Sequence, residues 1–124
     1  MTVPNVFDAK PFVPALDFAT SLRFYTALGW RLNWKADGLA ELEVADARIL
    51  LQDFYVDEWA QNWMLYVTVD DAAAWYEHAR NVIEADDYAQ AKIQSPKKEP
   101  YGAIVTYVWD PSGVLIHFAQ SIDE

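Results

Sequence analysis

DPSGVLIHFAQ, residues 110–120, joins a tight-turn signature to an apolar run interrupted by one imidazole. Asp, Pro, Ser and Gly in succession favour a tight turn, each by its own backbone or side-chain preference. VLIHFAQ (114–120) then reads as a strand, and AIVTYVW (103–109), rich in β-branched and aromatic residues, reads as another just before the turn. Two strands therefore meet across Asp110–Gly113. His117 shares a strand face with Leu115 and Ala119, because side chains alternate with a period of two.

Working outward, this hairpin closes a pattern that occurs twice. Phe12 to Leu16 reads as a short strand, Asp17 as an N-cap, and Phe18, Leu22, Tyr25 and Leu28 fall at helical spacing before a Gly29 stop. WRLNWKA (30–36) and LAELEV (39–44) alternate on either side of the turn pair Asp37-Gly38, and ARILLQDF (47–54) comes next as a third strand. The pattern restarts at NWMLYVTV (62–69). Asp70-Asp71 can cap a helix whose face is Ala72, Trp75, Tyr76, Ala79, Val82 and Ile83. After it come a short segment around 91–94, a turn-rich SPKKEPYG (95–102), and the closing hairpin. A strand and helix followed by about three strands, repeated in one chain, indicates internal duplication. The expected organisation is one domain over 1–124, with module one at about 9–54, a connector at 55–61 and module two at about 62–120.

The chain has 124 residues, 53% of them hydrophobic, enough for one core shared by both halves. A formal net charge of −10 argues against nucleic acid, whose phosphates require clustered Lys and Arg. With no cysteine, no disulfide or thiolate chemistry is available. The N-terminal MTVPNVFDAKPF lacks the basic start and apolar core of a signal peptide, and no run is long enough to span a membrane. A soluble cytoplasmic protein is expected, with no membrane partner.

Asp17 with FYTALGW (24–30), then Pro100-Tyr101-Gly102, Asp110-Pro111-Ser112-Gly113 and His117-Phe118, resemble the glyoxalase/bleomycin-resistance/extradiol-dioxygenase superfamily, also called the vicinal oxygen chelate fold. The resemblance runs from about Lys10 to Gln120 and is nearest to the bleomycin-binding resistance proteins. It implies an α+β fold of two βαβββ modules in tandem, forming a cupped mixed sheet with the ligand in the cup or at a dimer interface.

Enzymes of this superfamily hold a divalent metal with His, Gln or Glu on inner strands. The corresponding positions here fall near Lys10 and Met64, on Leu50 or Gln52, and on His117, which leaves Gln52 and His117 as the candidate ligands. His78 lies on the second helix and reads as structural. Glu41 and Glu43 share a strand face, as a pair of carboxylates does in acid–base sites, although charges on an exposed strand face are also routine. No nucleophile elbow, phosphate loop or zinc helix is present. Catalytic residues, metal and cofactors are expected to be absent, and His117 is expected to be a neutral, hydrogen-bonded core residue.

Aromatic residues make up 15% of the chain. Phe24, Tyr25, Trp75 and Tyr76 suit helix faces that pack on a sheet, whereas Trp30 and Trp34 share a strand face, Trp59 and Trp63 flank the connector, and Tyr101 lies in a loop. Such walls with nearby carboxylates suit a cationic or aromatic small molecule. From the resemblance, Trp34, Leu39, Gln52, Asn62, Tyr66, Tyr101 and Gly113 match the ligand crevice of bleomycin-binding proteins. Asn33 stands where that family has an acidic residue. Pro11 matches the proline at which the family's N-terminal arm crosses to a partner, which implies a homodimer. The leading expectation is a metal-free protein that binds and sequesters a bleomycin-type antibiotic. The alternatives are a metal-dependent lyase or isomerase of the glyoxalase type, using His117, Gln52 and Glu41 or Glu43, and a scaffolding module.

Overall fold

The computed structural model describes residues 2–122. Its first half runs β1 (Phe12–Pro14), α1 (Phe18–Leu28), β2 (Arg31–Ala36), β3 (Leu39–Val44) and β4 (Ala47–Gln52), and α2 (Asp57–Ala60) occupies the connector. The second half runs β5 (Met64–Val69), α3 (Ala72–Ala85), β6 (Lys92–Glu99), β7 (Ala103–Trp109) and β8 (Leu115–Ser121). Two four-stranded sheets result, in the orders β1-β4-β3-β2 and β5-β8-β7-β6. The β1–β4 and β5–β8 pairs are parallel and the remaining pairs antiparallel, so both sheets are mixed with identical topology.

The helices begin where side-chain caps satisfy their free amides. Asp17 accepts from the Thr20 amide at 3.1 Å, and Asp71 accepts from the Ala74 amide at 3.0 Å. Such a cap is worth about 1 kcal/mol. Gly29, at φ 123°, ends α1 in a conformation that glycine adopts without a Cβ penalty. Asp37 and Gly38 both have positive φ, 53° and 76°, as a tight β2–β3 turn requires.

One core draws on both halves. Phe24, Tyr25 and Leu28 of α1 and Leu42, Ile49 and Leu51 of the first sheet join Ala79 of α3 and Val108, Ile116 and Phe118 of the second. Trp75 stacks on Phe118 with ring centroids 4.5 Å apart and planes within 5°. The expected α3 face is the one that packs, with Ala72 and Ala79 buried and Trp75, Tyr76, Val82 and Ile83 half-buried. No described helix is long and apolar enough to cross a membrane.

Two local expectations are corrected. SPKKE is not a turn but the second half of β6, where the pairing with β7 shifts between Gln94 and Lys97. A bulge on an edge strand accommodates Pro96, which has no amide to give. Trp30 and Trp34 do not share a face: Trp30 is 5% exposed in the core, edge-on to Tyr25, while Trp34 is 43% exposed. The register shift between Leu32 and Trp34 inserts one residue and reverses the facing of the rest of β2. The connector contains α2, a helical turn too short to show periodicity.

Candidate functional site

Each sheet packs one face against the shared core and turns the other away from it; on that far face of the second sheet Ala103, Val105 and Ala119 form a small buried cluster of their own beside Tyr107, and the rest is open. Directly opposed residues lie on the same face. On the first sheet Trp34, Glu41 and Leu50 therefore form one row, and Leu39 stands beside Gln52 in another. The β2 bulge places Asn33 so that its Nδ2 donates to Glu41 Oε2 at 2.8 Å and to Glu43 Oε1 at 2.9 Å. Arg31 pairs with Glu43 at 2.8 Å, and Lys10 with Glu41 at 3.3 Å. Glu41 is only 7% exposed. The Asn33 amide is the main reason that both carboxyls are held below the usual range, against an opposing effect of burial. A general base is most effective near the working pH, so these occupied, acid-shifted carboxylates are poorly suited to proton abstraction. They are suited to holding a fixed negative charge.

On the second sheet Tyr66 of β5, His117 of β8 and Tyr107 of β7 stand side by side in register. The His117 ring lies 5.6 Å from that of Tyr66 and 5.0 Å from that of Tyr107, centroid to centroid. The Tyr107 hydroxyl donates to Glu99 Oε2, while burial and that carboxylate hold the phenol strongly protonated. Tyr101, beside Gly102 at the β6–β7 turn, has a phenol raised by desolvation and by the Tyr66 hydroxyl. His117 was expected to be hydrogen-bonded, but among the described residues its buried Nδ1 has no partner. Burial lowers its pKa although the Glu99 charge opposes this, so the neutral ring is favoured at pH 7.

The expected site residues thus fall into separate groups. Trp34, Leu39 and Gln52 share the open face of the first sheet, and Tyr66 and Tyr101 belong to the second. Asn62 is exposed at the end of the connector, with its Nδ2 bound to the Glu58 carbonyl at 2.6 Å. Gly113 is buried inside the Asp110 turn at φ 93°, where an added Cβ would lie 2.6 Å from Gln61 Nε2, so it shapes the turn from within. The Pro11 carbonyl accepts from the Leu50 amide at 2.9 Å and anchors the arm to β4. Beside it, a cavity of about 590 Å³ separates Asp8, Pro11 and Arg48 from Leu65 to Thr68 of β5. His78, on α3, bonds the Leu28 carbonyl through Nε2 at 2.9 Å, a structural tie between the helices.

Sequence reading missed Asn33 as the residue that binds the two glutamates, although their alternation on β3 was visible. It also missed Tyr107 and Glu99, which only the pairing of β6, β7 and β8 brings beside His117.

The residues at the metal-ligand positions do not fit a hard divalent ion. Lys10 brings an ammonium group already paired with Asp8 at 3.5 Å as well as with Glu41, and Met64 offers a soft thioether. Among the described residues no three His, Asp or Glu side chains are grouped to hold a metal. The geometry offers stacking surface and fixed charge.

The family model for the Glyoxalase/Bleomycin resistance protein/Dioxygenase superfamily matches residues 11–118. A bleomycin resistance protein of Klebsiella pneumoniae is 25% identical over 119 residues, covering 92% of each chain. Among solved structures, the fold is similar to a bleomycin-binding protein complexed with bleomycin, with TM-score 0.76 and 24% identity over 94% of this chain and 99% of that one. It is likewise similar to the bleomycin-binding protein from bleomycin-producing Streptomyces verticillus complexed with copper(II)-bleomycin, with TM-score 0.75 and 21% identity over 98% and 100% of the chains.

Proposed function

Because the chain belongs to the Glyoxalase/Bleomycin resistance protein/Dioxygenase superfamily, we propose that it binds and sequesters a bleomycin-type glycopeptide antibiotic without transforming it. The observation that carries this reading is the row of Tyr66, His117 and Tyr107, with Tyr101 beside it, on an open sheet face. Flat rings of this kind hold planar and cationic groups by stacking and cation–π attraction. Trp34, Leu39 and Gln52 on the first sheet and Asn62 at the connector supply the remaining contacts. Glu41 and Glu43, kept ionised by Asn33, attract a cationic ligand. Sequestration needs affinity alone, so the binder works without a metal or cofactor of its own.

The same reading makes the protein a homodimer. Val3 and Val6 are largely exposed, and Phe7 is 98% exposed on the arm that precedes Pro11. Apolar side chains so uncovered support an arm that crosses to a twofold partner and brings the first sheet of one subunit toward the second sheet of the other.

Titration of the protein with metal-free and copper(II)-loaded bleomycin, followed by tryptophan fluorescence, tests the proposal. A saturable change at micromolar protein is expected. Its absence with both forms rejects bleomycin as the ligand.

A further inference from the structure

The ion pairs on the open face of the first sheet close into a ring. Asp8 Oδ2 meets Arg48 Nη1 at 2.8 Å, Arg48 Nε meets Glu43 Oε1 at 3.4 Å, the Asn33 amide bridges Glu43 and Glu41, and Lys10 Nζ joins Glu41 back to Asp8 at 3.5 Å. With Arg31 on Glu43, three cations balance three carboxylates. A cation arriving from solvent can therefore pair with one of these carboxylates only by replacing a side chain already there.

The two glutamates are not held equally. Glu43 has two guanidinium partners, the nearer at 2.8 Å, whereas Lys10, at 3.3 Å, is the one cation on Glu41 among the described residues. Lys10 is also the member of the ring that can leave. It stands on the arm ahead of Pro11, and among the described residues no main-chain hydrogen bond is made by residues 2–10. Glu41 is the main reason that the Lys10 ammonium is held above its usual range, so the pair is fully charged. A compact charge on a flexible stem, with 27% of the side chain exposed, nonetheless makes a weak and exchangeable bond.

What can replace Lys10 is set by the row in which Glu41 stands. Phe12, Leu50, Glu41 and Trp34 oppose one another across the four strands, and both aromatic ends of the row are exposed. Besides Asn33 and Lys10, the Trp34 side chain also lowers the Glu41 carboxyl. A guest that carries an ammonium group on an aromatic ring offers Glu41 the charge that Lys10 offers, and adds a ring to lie on Trp34 or Phe12.

We propose that Lys10 is a built-in competitor, whose ammonium occupies Glu41 in the free protein and is displaced by the cationic group of an arylalkylammonium guest. The contact rejects cations that bring no aromatic surface, since these exchange one ion pair for another without gain. It rests on the reading of this face as a site for a cationic ligand and adds regulation to that site.

The test titrates 2-naphthylmethylammonium, and its uncharged counterpart 2-naphthylmethanol, into the full chain. Binding is followed at the Trp34 indole N–H and at the Lys10 ¹³Cε, the latter assigned by its absence from Lys10→Arg. In the wild type, saturation with the ammonium should move both signals, and the alcohol should leave that of Lys10 in place. Lys10→Met should bind the ammonium up to about fivefold more tightly, the scale of a partly exposed ion pair, with the alcohol unaffected, and Lys10→Arg should not gain affinity. Salt supplies a signature that a structural role would not. Exchange of one pair for another keeps the wild-type affinity nearly constant between about 0.05 and 0.5 M NaCl, whereas Lys10→Met, which gains a pair on binding, should weaken across that range. The proposal is overturned if the ammonium does not saturate, if Lys10→Met binds it no more tightly than the wild type, or if that variant tightens both probes alike. Should Lys10→Met fail to fold, a Lys10 signal unmoved at wild-type saturation overturns it as well. A chain that takes the ammonium with Lys10 displaced but ignores bleomycin keeps this contact and rejects only the antibiotic, so the two failures are read apart.

Discussion

The Tyr25 hydroxyl of α1 donates to Asp110 Oδ2 at 2.8 Å, across 85 residues of chain. Both groups are fully buried, so the bond ties the first helix to the turn that launches β8. The other carboxyl oxygen, Oδ1, accepts the amides of Ser112 at 2.8 Å and Val114 at 3.0 Å. Tyr25→Phe leaves that carboxyl buried with one partner missing. A loss of about 1–3 kcal/mol is expected, read as a lower urea midpoint with an unchanged slope.

Asp110 also sets a pH dependence. Burial pushes its carboxyl up to about 6, although Tyr25 and the turn amides pull the other way. A carboxyl raised above its unfolded value near 3.9 stabilises the fold most below that pH, and the contribution is lost as pH rises through about 6. At 1.36 kcal/mol per unit the swing is about 3 kcal/mol. Relative to Asp110→Asn, which does not titrate, the wild-type chain should lose stability by this order between pH 4 and pH 7 in parallel urea titrations. A flat difference across that window would contradict the buried-carboxyl account.

Asn33 is the principal cause of the low carboxyl pKa values of Glu41 and Glu43. Asn33→Ala should move both upward, most visibly for Glu41, which burial already pushes toward the neutral form. Carboxyl ¹³C chemical shifts followed through acid titration will show whether the two midpoints rise together.

If the open faces hold an antibiotic, its binding depends on aromatic side chains from both sheets. Tyr66→Ala and Tyr101→Ala should each weaken bleomycin by up to about tenfold, the scale of a lost aromatic pair. Trp34→Ala should do the same from the first sheet. Arg80→Ala, on the surface of α3, should leave the affinity unchanged and serves as the control.

What could be read along the chain was what short-range chemistry determines. Asp17 and Asp71 as caps, Gly29 as a stop and Asp37-Gly38 as a turn each act within a few residues, and their repetition exposed the duplicated module. The tandem βαβββ modules came from that repetition together with the family resemblance, which implied one cupped mixed sheet where the structure has two four-stranded ones. Trp30 and Pro96 were misread because each depends on a one-residue shift in pairing with a neighbouring strand. The same limit applies to the candidate site: Trp34, Tyr66 and Tyr101 were found as isolated aromatics, but the union of Tyr107, Glu99 and His117 exists only through β6–β7–β8 register. His117 was read as hydrogen-bonded because buried imidazoles usually are, and no local signal distinguishes the exception.

The irregularity between Leu32 and Trp34 divides the labour of a single strand. Residues ahead of it, Trp30 above all, answer to the interior, where a change of shape costs stability; those after it answer to whatever the open face meets. Mutation can therefore retune the second half of β2 for a new guest while the first half goes on holding the fold. A surface built this way can drift in chemistry without drifting in architecture, and deleting the one inserted residue would end that freedom by turning Trp34 toward the core.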